Sequence, residues 1–395
     1  MFIPRRAAPS FARSAARSTA IAGAAAFAVA GALGSLALLL ARAVVTPPSR
    51  LITDVKVLGI DTVAQTITLS RTPDTVLPGR YGLFTTGTTD FLKIGAVLGE
   101  SDGQVRRKLL TRVDGATHIG ERARFSGWYW HNAAELHIPY SNEVVPTPLG
   151  PAPAWLFPGE GPNASTWVIA THGRGTRRAE TLRAVPVLHD EGVSVLCVSY
   201  RNDGDAPRSR SGKYALGATE WRDVEAAVVW ALRRGAERIV LMGFSMGGAI
   251  SLQEVLNTAH REAIVGVMLD SPVVDWRPVV EYQAREVKLP GAVIDAGLSA
   301  VGQGWSAGSM HRGDRVSFDA LDIVSRADEL TVPILLMHSD DDGYVPSGPS
   351  HALAEARPDI VTMETFHTAR HVKLWNYDES RWNTAIREWM HAHVL

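Results

Sequence analysis

The stretch Ile239-Val-Leu-Met-Gly-Phe-Ser-Met-Gly-Gly248 constrains this chain more than any other. An apolar run long enough for a buried strand meets Gly-x-Ser-x-Gly, and small residues then open a helix. This is the sequence form of a nucleophile elbow, a turn so sharp that its serine is strained and its hydroxyl stands exposed. Gly243 and Gly247 flank Ser245 where a β-carbon would collide across the turn, and Gly248 lets the helix pack closely. The first N–H groups of such a helix have no intrahelical acceptor and favour negative charge beside the serine. The plainer reading is a passive serine in a Gly-rich strand–helix turn; the residues downstream decide between the two.

A serine nucleophile needs an orienting acid and a base, expected in the order Ser, Asp, His. Val332-Pro-Ile-Leu-Leu-Met-His338 reads as a buried parallel strand and runs into Ser339-Asp-Asp-Asp342. A carboxylate is thus expected at a strand's carboxyl end, at Asp340, Asp341 or Asp342. Asp359-Ile-Val-Thr-Met-Glu-Thr-Phe366 predicts a last strand, after which His367 and His371 are the candidate bases. Three elements in the right order, each at a strand end, agree far better than chance would allow.

These segments resemble the α/β-hydrolase superfamily over roughly residues 142–395, nearest to its short, serine-esterase and lysophospholipase-like members. Gly243-Phe-Ser-Met-Gly-Gly248 resembles the family elbow, which implies Ser245 as nucleophile. His338-Ser-Asp-Asp-Asp342-Gly-Tyr-Val-Pro346 is similar to the family's H-G-x-x-D-x-x-V-P, with Ser339 in place of the usual glycine. That register implies Asp342 as the orienting acid, with Asp340 and Asp341 as a solvated acidic loop. Arg370-His371-Val372 resembles the histidine loop, which implies His371 as base and leaves His367 on the surface. Thr171-His172-Gly173-Arg174-Gly175 resembles the oxyanion loop H-G-x-G, so Arg174 and Met246 are the implied backbone donors. The implied chemistry is acyl transfer from a small-molecule or lipid ester, or a thioester, with no metal and no cofactor.

Strand and helix patterns alternate through this region, as in a parallel α/β sheet. Strands are expected to start near Val144, Ala152, Trp167, Val193, Arg238, Ile264, Val332 and Ile360, and a helix spans Thr219 to Arg234 with Gly235 as its stop. A short cap is expected near 271–317. Cys197, the only cysteine, lies in an apolar strand pattern and reads as a buried structural thiol.

The first fifty residues are a different material. Residues 1–18 form a basic tail with Arg5, Arg6, Arg13 and Arg17. Residues 19–41 carry an uncharged apolar run near the 20 residues that span a bilayer, so a transmembrane helix is expected. The arginine flank predicts an extracytoplasmic catalytic domain. Ala41-Arg-Ala43 imitates a cleavage site, so a cleaved signal is the alternative. Residues 42–141 read as a stiff Pro-containing linker and a small β-rich module, or as an elaborated edge of the main sheet. A formal net charge of -1 speaks against a nucleic-acid partner. Two competing functions are a serine peptidase of the same fold and a non-catalytic binding protein built on it.

Overall fold

The computed structural model describes residues 32–48, 53–87, 90–303 and 316–395. Six strands come first: β1 (Val55–Asp61), β2 (Thr66–Ser70), β3 (Tyr81–Gly87), β4 (Phe91–Ser101), β5 (Gln104–Leu109) and β6 (Ile119–Ser126). They close into an antiparallel barrel in the order β1-β2-β5-β4-β3-β6. The β-rich module is therefore a body of its own and contributes no strand to the main sheet, which removes the edge reading of residues 42–141. Closure leaves no unpaired edge to recruit another chain.

The barrel interior holds Ile67, Leu69, Leu83, Leu92 and Phe125, and among them the guanidinium of Arg107. Strand parity explains it: Val105, Arg107 and Leu109 alternate inward on β5. Arg107 donates to the carbonyls of Gly95, Thr75, Leu77 and Gly79 at 2.7–2.9 Å and lies against the Tyr81 and Phe125 rings. Burial pulls its pKa down to about 10, so it stays charged at neutral pH. Three of its four acceptors lie in the loop between β2 and β3. Arg107→Leu leaves these buried carbonyls without donors, each worth about 1–3 kcal/mol. Urea titration is expected to show a loss of about 3 kcal/mol or more in barrel stability; a loss under about 1 kcal/mol contradicts this account.

The main sheet contains β7 (Ser141–Thr147), β8 (Gly150–Phe157), β9 (Thr166–Thr171), β10 (Ser194–Val198), β11 (Arg238–Phe244), β12 (Ile264–Asp270), β13 (Ile334–Ser339) and β14 (Val361–Phe366). Their order is β14-β13-β12-β11-β9-β10-β8-β7; β8 runs antiparallel to both its neighbours, β10 and β7, and the other pairs are parallel. Every residue of β9, β10 and β13 is buried, as befits strands covered on both faces. Each expected strand start falls at or near the first residue of one of these.

The helices are α1 (residues 32–45), α2 (Val185–Asp190), α3 (Trp221–Leu232), α4 (Met246–Asn257), α5 (Trp276–Glu286), α6 (Gly291–Gly302), α7 (Phe318–Leu321), α8 (Gly348–Ala356), α9 (Leu374–Tyr377) and α10 (Glu379–His393). One apolar core joins α1, α3, α4, α5, α6 and α8 to one face of the sheet; a second joins α2, α9 and α10 to the other. Gly235, at φ 93°, follows α3 and ends it where a left-handed residue is required. Cys197 is buried on β10, and burial pushes its thiol up to about 12.

The expected span over 19–41 lies largely outside the described residues. Its described part belongs to α1, which runs past Ala41 and buries Ala37, Ala41 and Val45 at helical spacing against the catalytic domain. Leu36, Leu38 and Leu39 face outward. Among the described residues no helix is long and apolar enough to cross a membrane, so the transmembrane expectation gains no support from the fold. The expected cap at 271–317 contains α5 and α6; residues 304–315, including Trp305, lie outside the described residues. Trp276 is core, its indole N–H donating to the Leu216 carbonyl at 2.8 Å.

Candidate active site

Ser245 sits between β11 and α4 at φ 53°, ψ -116°, a conformation that costs a non-glycine residue energy. Its backbone is tied down: its N–H donates to the Asp270 carbonyl at 3.0 Å, and its carbonyl accepts from Gly248 and Val273. A β-carbon on Gly243 would strike the Gly247 backbone, and one on Gly247 would strike the Thr171 carbonyl at the end of β9. The elbow therefore tolerates no side chain at either position.

His371 lies in the loop after β14, with Nε2 2.9 Å from Ser245 Oγ and Nδ1 2.7 Å from Asp342 Oδ2. A carboxylate only accepts, so Nδ1 carries the proton and Nε2 is left to accept from the serine hydroxyl. Asp342, in the loop after β13, also accepts from the N–H groups of Tyr344 and Val345 at 2.8 Å. Burial alone would raise its carboxyl; the charge of His371 and a contact with His338 outweigh burial and hold it well below the usual carboxylate range. His338 is fully buried, 3.3 Å from Asp342 Oδ2, and bonded to Ser350 and Val345. Sequence reading used His338 only to fix the loop register, and its contact with Asp342 was missed.

The competing residues are placed elsewhere. Asp340 pairs with His351 at 2.8 Å and with the exposed His367 at 3.1 Å. Asp341 pairs with Arg370 at 3.1 Å. None of these three pairs contacts Ser245.

The loop after β9 carries His172, Gly173 and Arg174. The Gly173 carbonyl accepts from Tyr200 Oη at 3.0 Å and Thr176 Oγ1 at 2.8 Å. In a trans peptide the next N–H points the opposite way, so these bonds set the direction of the Arg174 N–H. Gly173 N–H itself donates to the buried Glu180 carboxylate at 2.7 Å. Among the described hydrogen bonds the Arg174 N–H has no acceptor, and Met246, first residue of α4, has none within its helix. Met246 also follows Ser245 directly, so its N–H and the elbow share one turn.

The cleft above Ser245 measures about 920 Å³. Thr46, Pro47 and Pro48 form part of one wall. The barrel and its exit loop form another, through Asp54, Asp74, Phe84, Arg124 and Trp128. The barrel also grips the histidine loop: Asp74 pairs with Lys373 at 3.0 Å, Arg80 with Glu379, and Asn376 donates to the Arg80 carbonyl. Trp276 and Tyr282, aromatics of the segment expected as a cap, are not among the residues that line the cleft. Among the described residues no group of three His, Cys, Asp or Glu side chains is placed to hold a metal.

A model of the alpha/beta hydrolase family matches residues 156–394, and one for a domain of unknown function matches residues 56–126, the barrel. No curated protein matches significantly. An esterase from Pyrococcus furiosus superposes with a TM-score of 0.52 at 17% identity, over 67% of this chain and 95% of that one. A puromycin-hydrolyzing peptidase from Mycobacterium tuberculosis superposes with a TM-score of 0.51 at 18% identity, over 84% of this chain and 46% of that one. At such identities both show a shared fold.

Proposed function

Because this chain belongs to the alpha/beta hydrolase family, we propose that it is a serine hydrolase that cleaves carboxylic esters or thioesters through an acyl-enzyme on Ser245. The observation that carries this reading is the hydrogen-bonded series Ser245 Oγ, His371 and Asp342, at 2.9 and 2.7 Å. His371 takes the serine proton during attack and returns it to the leaving group. Asp342 holds the imidazole tautomer and stabilises the imidazolium. The Arg174 and Met246 N–H groups receive the charge that develops on the carbonyl oxygen, each worth about 3 kcal/mol on the precedent of similar sites. Water then releases the acid by the same steps.

The cleft supports a hydrophilic substrate. Its described lining is rich in charged side chains, among them Asp54, Asp74, Arg124, Arg370 and Lys373. We therefore expect p-nitrophenyl acetate and butyrate to exceed the palmitate ester in kcat/KM by at least about tenfold. The assay sets these beside short acyl thioesters and peptide amides, with Ser245→Ala as control. Faster cleavage of amides than of esters points to the peptidase alternative. Absence of any Ser245-dependent turnover points to a binding protein on a hydrolase fold.

With the catalytic domain placed outside the cytoplasm, membrane attachment is part of the same proposal, through the part of the 19–41 run that precedes α1, because α1 packs Ala37 and Ala41 against the catalytic domain. Its support is the uncharged run behind four arginines. The full-length protein is expected to sediment with membranes and to resist extraction by high salt, which removes only electrostatically bound proteins. A mature protein beginning just after Ala43 would mean a cleaved signal instead.

A further inference from the structure

The side chain of Arg174 reaches a part of the chain 128–131 positions earlier. Its Nη2 donates to the carbonyls of Ala43 and Thr46, both at 2.7 Å. These lie at the carboxyl end of α1, where the last carbonyls have no intrahelical donor and the helix dipole favours a cation. The surrounding bonds belong to one network. Tyr214 N–H donates to the Val45 carbonyl at 2.8 Å, and Lys213 Nζ to Thr46 Oγ1 at 2.8 Å. Tyr214 Oη donates to the buried Asp203, and Gly175 N–H donates to both at 3.1 Å. The guanidinium also lies 5.3 Å from the centre of the Tyr214 ring. Gly175 is at φ 68°, so the loop turns sharply just beyond Arg174.

The residue that lends a backbone N–H to the oxyanion hole in the proposed mechanism thus also clamps the end of α1 with its side chain. We propose that Arg174 is a positioning residue whose guanidinium latches α1 to the oxyanion loop, so that α1 seated on the catalytic domain keeps the Arg174 N–H aligned. This rests on the serine-hydrolase reading above. It also changes what removing the amino-terminal segment does. A chain that starts near residue 50 loses Ala43, Val45, Thr46 and one cleft wall together, although every triad residue remains.

The seat of α1 offers an independent handle far from the cleft. Gly297 on α6 faces α1 so closely that a β-carbon there would stand 3.0 Å from Leu40 Cδ2 and 3.2 Å from the Ala37 carbonyl. Gly297→Leu therefore lifts α1 without touching a residue of the active site.

The test uses the full chain and steady-state hydrolysis of p-nitrophenyl butyrate by wild type, Arg174→Ala, Arg174→Lys, Gly297→Leu, the Arg174→Ala/Gly297→Leu double variant and Ser245→Ala. Arg174→Ala is expected to lower kcat by about 10- to 100-fold, the scale of a misplaced catalytic group, with KM within about twofold. Arg174→Lys, which keeps a donor, loses less. Gly297→Leu lowers kcat in the same direction. The double variant loses little more than Arg174→Ala alone, because both lesions open one latch. Losses that multiply, or a kcat for folded Arg174→Ala within about twofold of wild type, overturn the latch. If Arg174→Ala does not fold, Gly297→Leu decides: an unchanged kcat in the folded variant overturns the latch, and a lowered kcat with unchanged KM supports it. Hydrolysis that survives Ser245→Ala removes the hydrolase reading and the latch with it. Ser245-dependent hydrolysis that is indifferent to Arg174 and Gly297 removes the latch alone.

Discussion

Ser245→Ala is expected to lower kcat by about 10³- to 10⁶-fold, the range seen when a serine nucleophile is removed from a comparable triad. The substitution deletes the attacking oxygen and its 2.9 Å bond to His371 and little else. The strained backbone at φ 53° is held by Asp270, Gly248 and Val273 through main-chain bonds that alanine keeps. Stability should therefore change by no more than about 1 kcal/mol, and relief of an active-site compromise makes a small gain reasonable. The decisive measurements are turnover and thermal unfolding on the same purified sample. Residual activity above a few per cent, with a normal melting curve, would falsify the assignment of Ser245.

Asp342→Asn is the second large effect, with a loss of about 10⁴-fold in kcat on the precedent of the same change in a serine protease. Asparagine keeps the shape, and with its oxygen still accepting from Tyr344 and Val345 it turns its NH2, a donor, toward His371. The imidazole is then free to hold its proton on Nε2, where it cannot accept from Ser245. Asp340→Asn and Asp341→Asn should each stay within about twofold of wild type, since their partners are His351, His367 and Arg370. A loss larger at position 340 or 341 than at 342 would show that the acidic loop works in another register. Because the Asp342 carboxyl lies well below the ordinary range, it stays ionised between pH 5 and 8. Changes of kcat/KM within that window then have another source.

What sequence made legible follows from how each element is stabilised. The strands of the main sheet are buried on both faces, so each announces itself as an apolar run, and the elbow, the acidic loop and the histidine loop stand at their ends. Their meeting within hydrogen-bond distance is a matter of tertiary distance, which order along the chain suggests and cannot measure. The barrel was half visible. Tyr81–Gly87 is rich in Gly and Thr, and Ile119–Ser126 carries Glu121, Arg122 and Arg124, so neither reads as a strand. Closure is non-local and leaves no mark on any one segment. Arg107 was hidden by its charge, although parity with Val105 and Leu109 placed it on the inner face. The bond from Arg174 to α1 has no local signal at all.

The docking of the barrel onto the histidine loop has a consequence for biogenesis. A chain made from its amino end completes the barrel at Ser126, whereas His371 and its neighbours Lys373 and Asn376 leave the ribosome some 245 positions later. At about 5–20 residues per second this is an interval of roughly 10–50 s. Through that time Asp74 and Arg80 are already made, and the segment they bind arrives last. On the proposed mechanism Ser245 has no base until the histidine loop arrives, and the nascent protein is chemically silent. Competence would then come only when the latest-made part of the candidate site reaches one of the earliest.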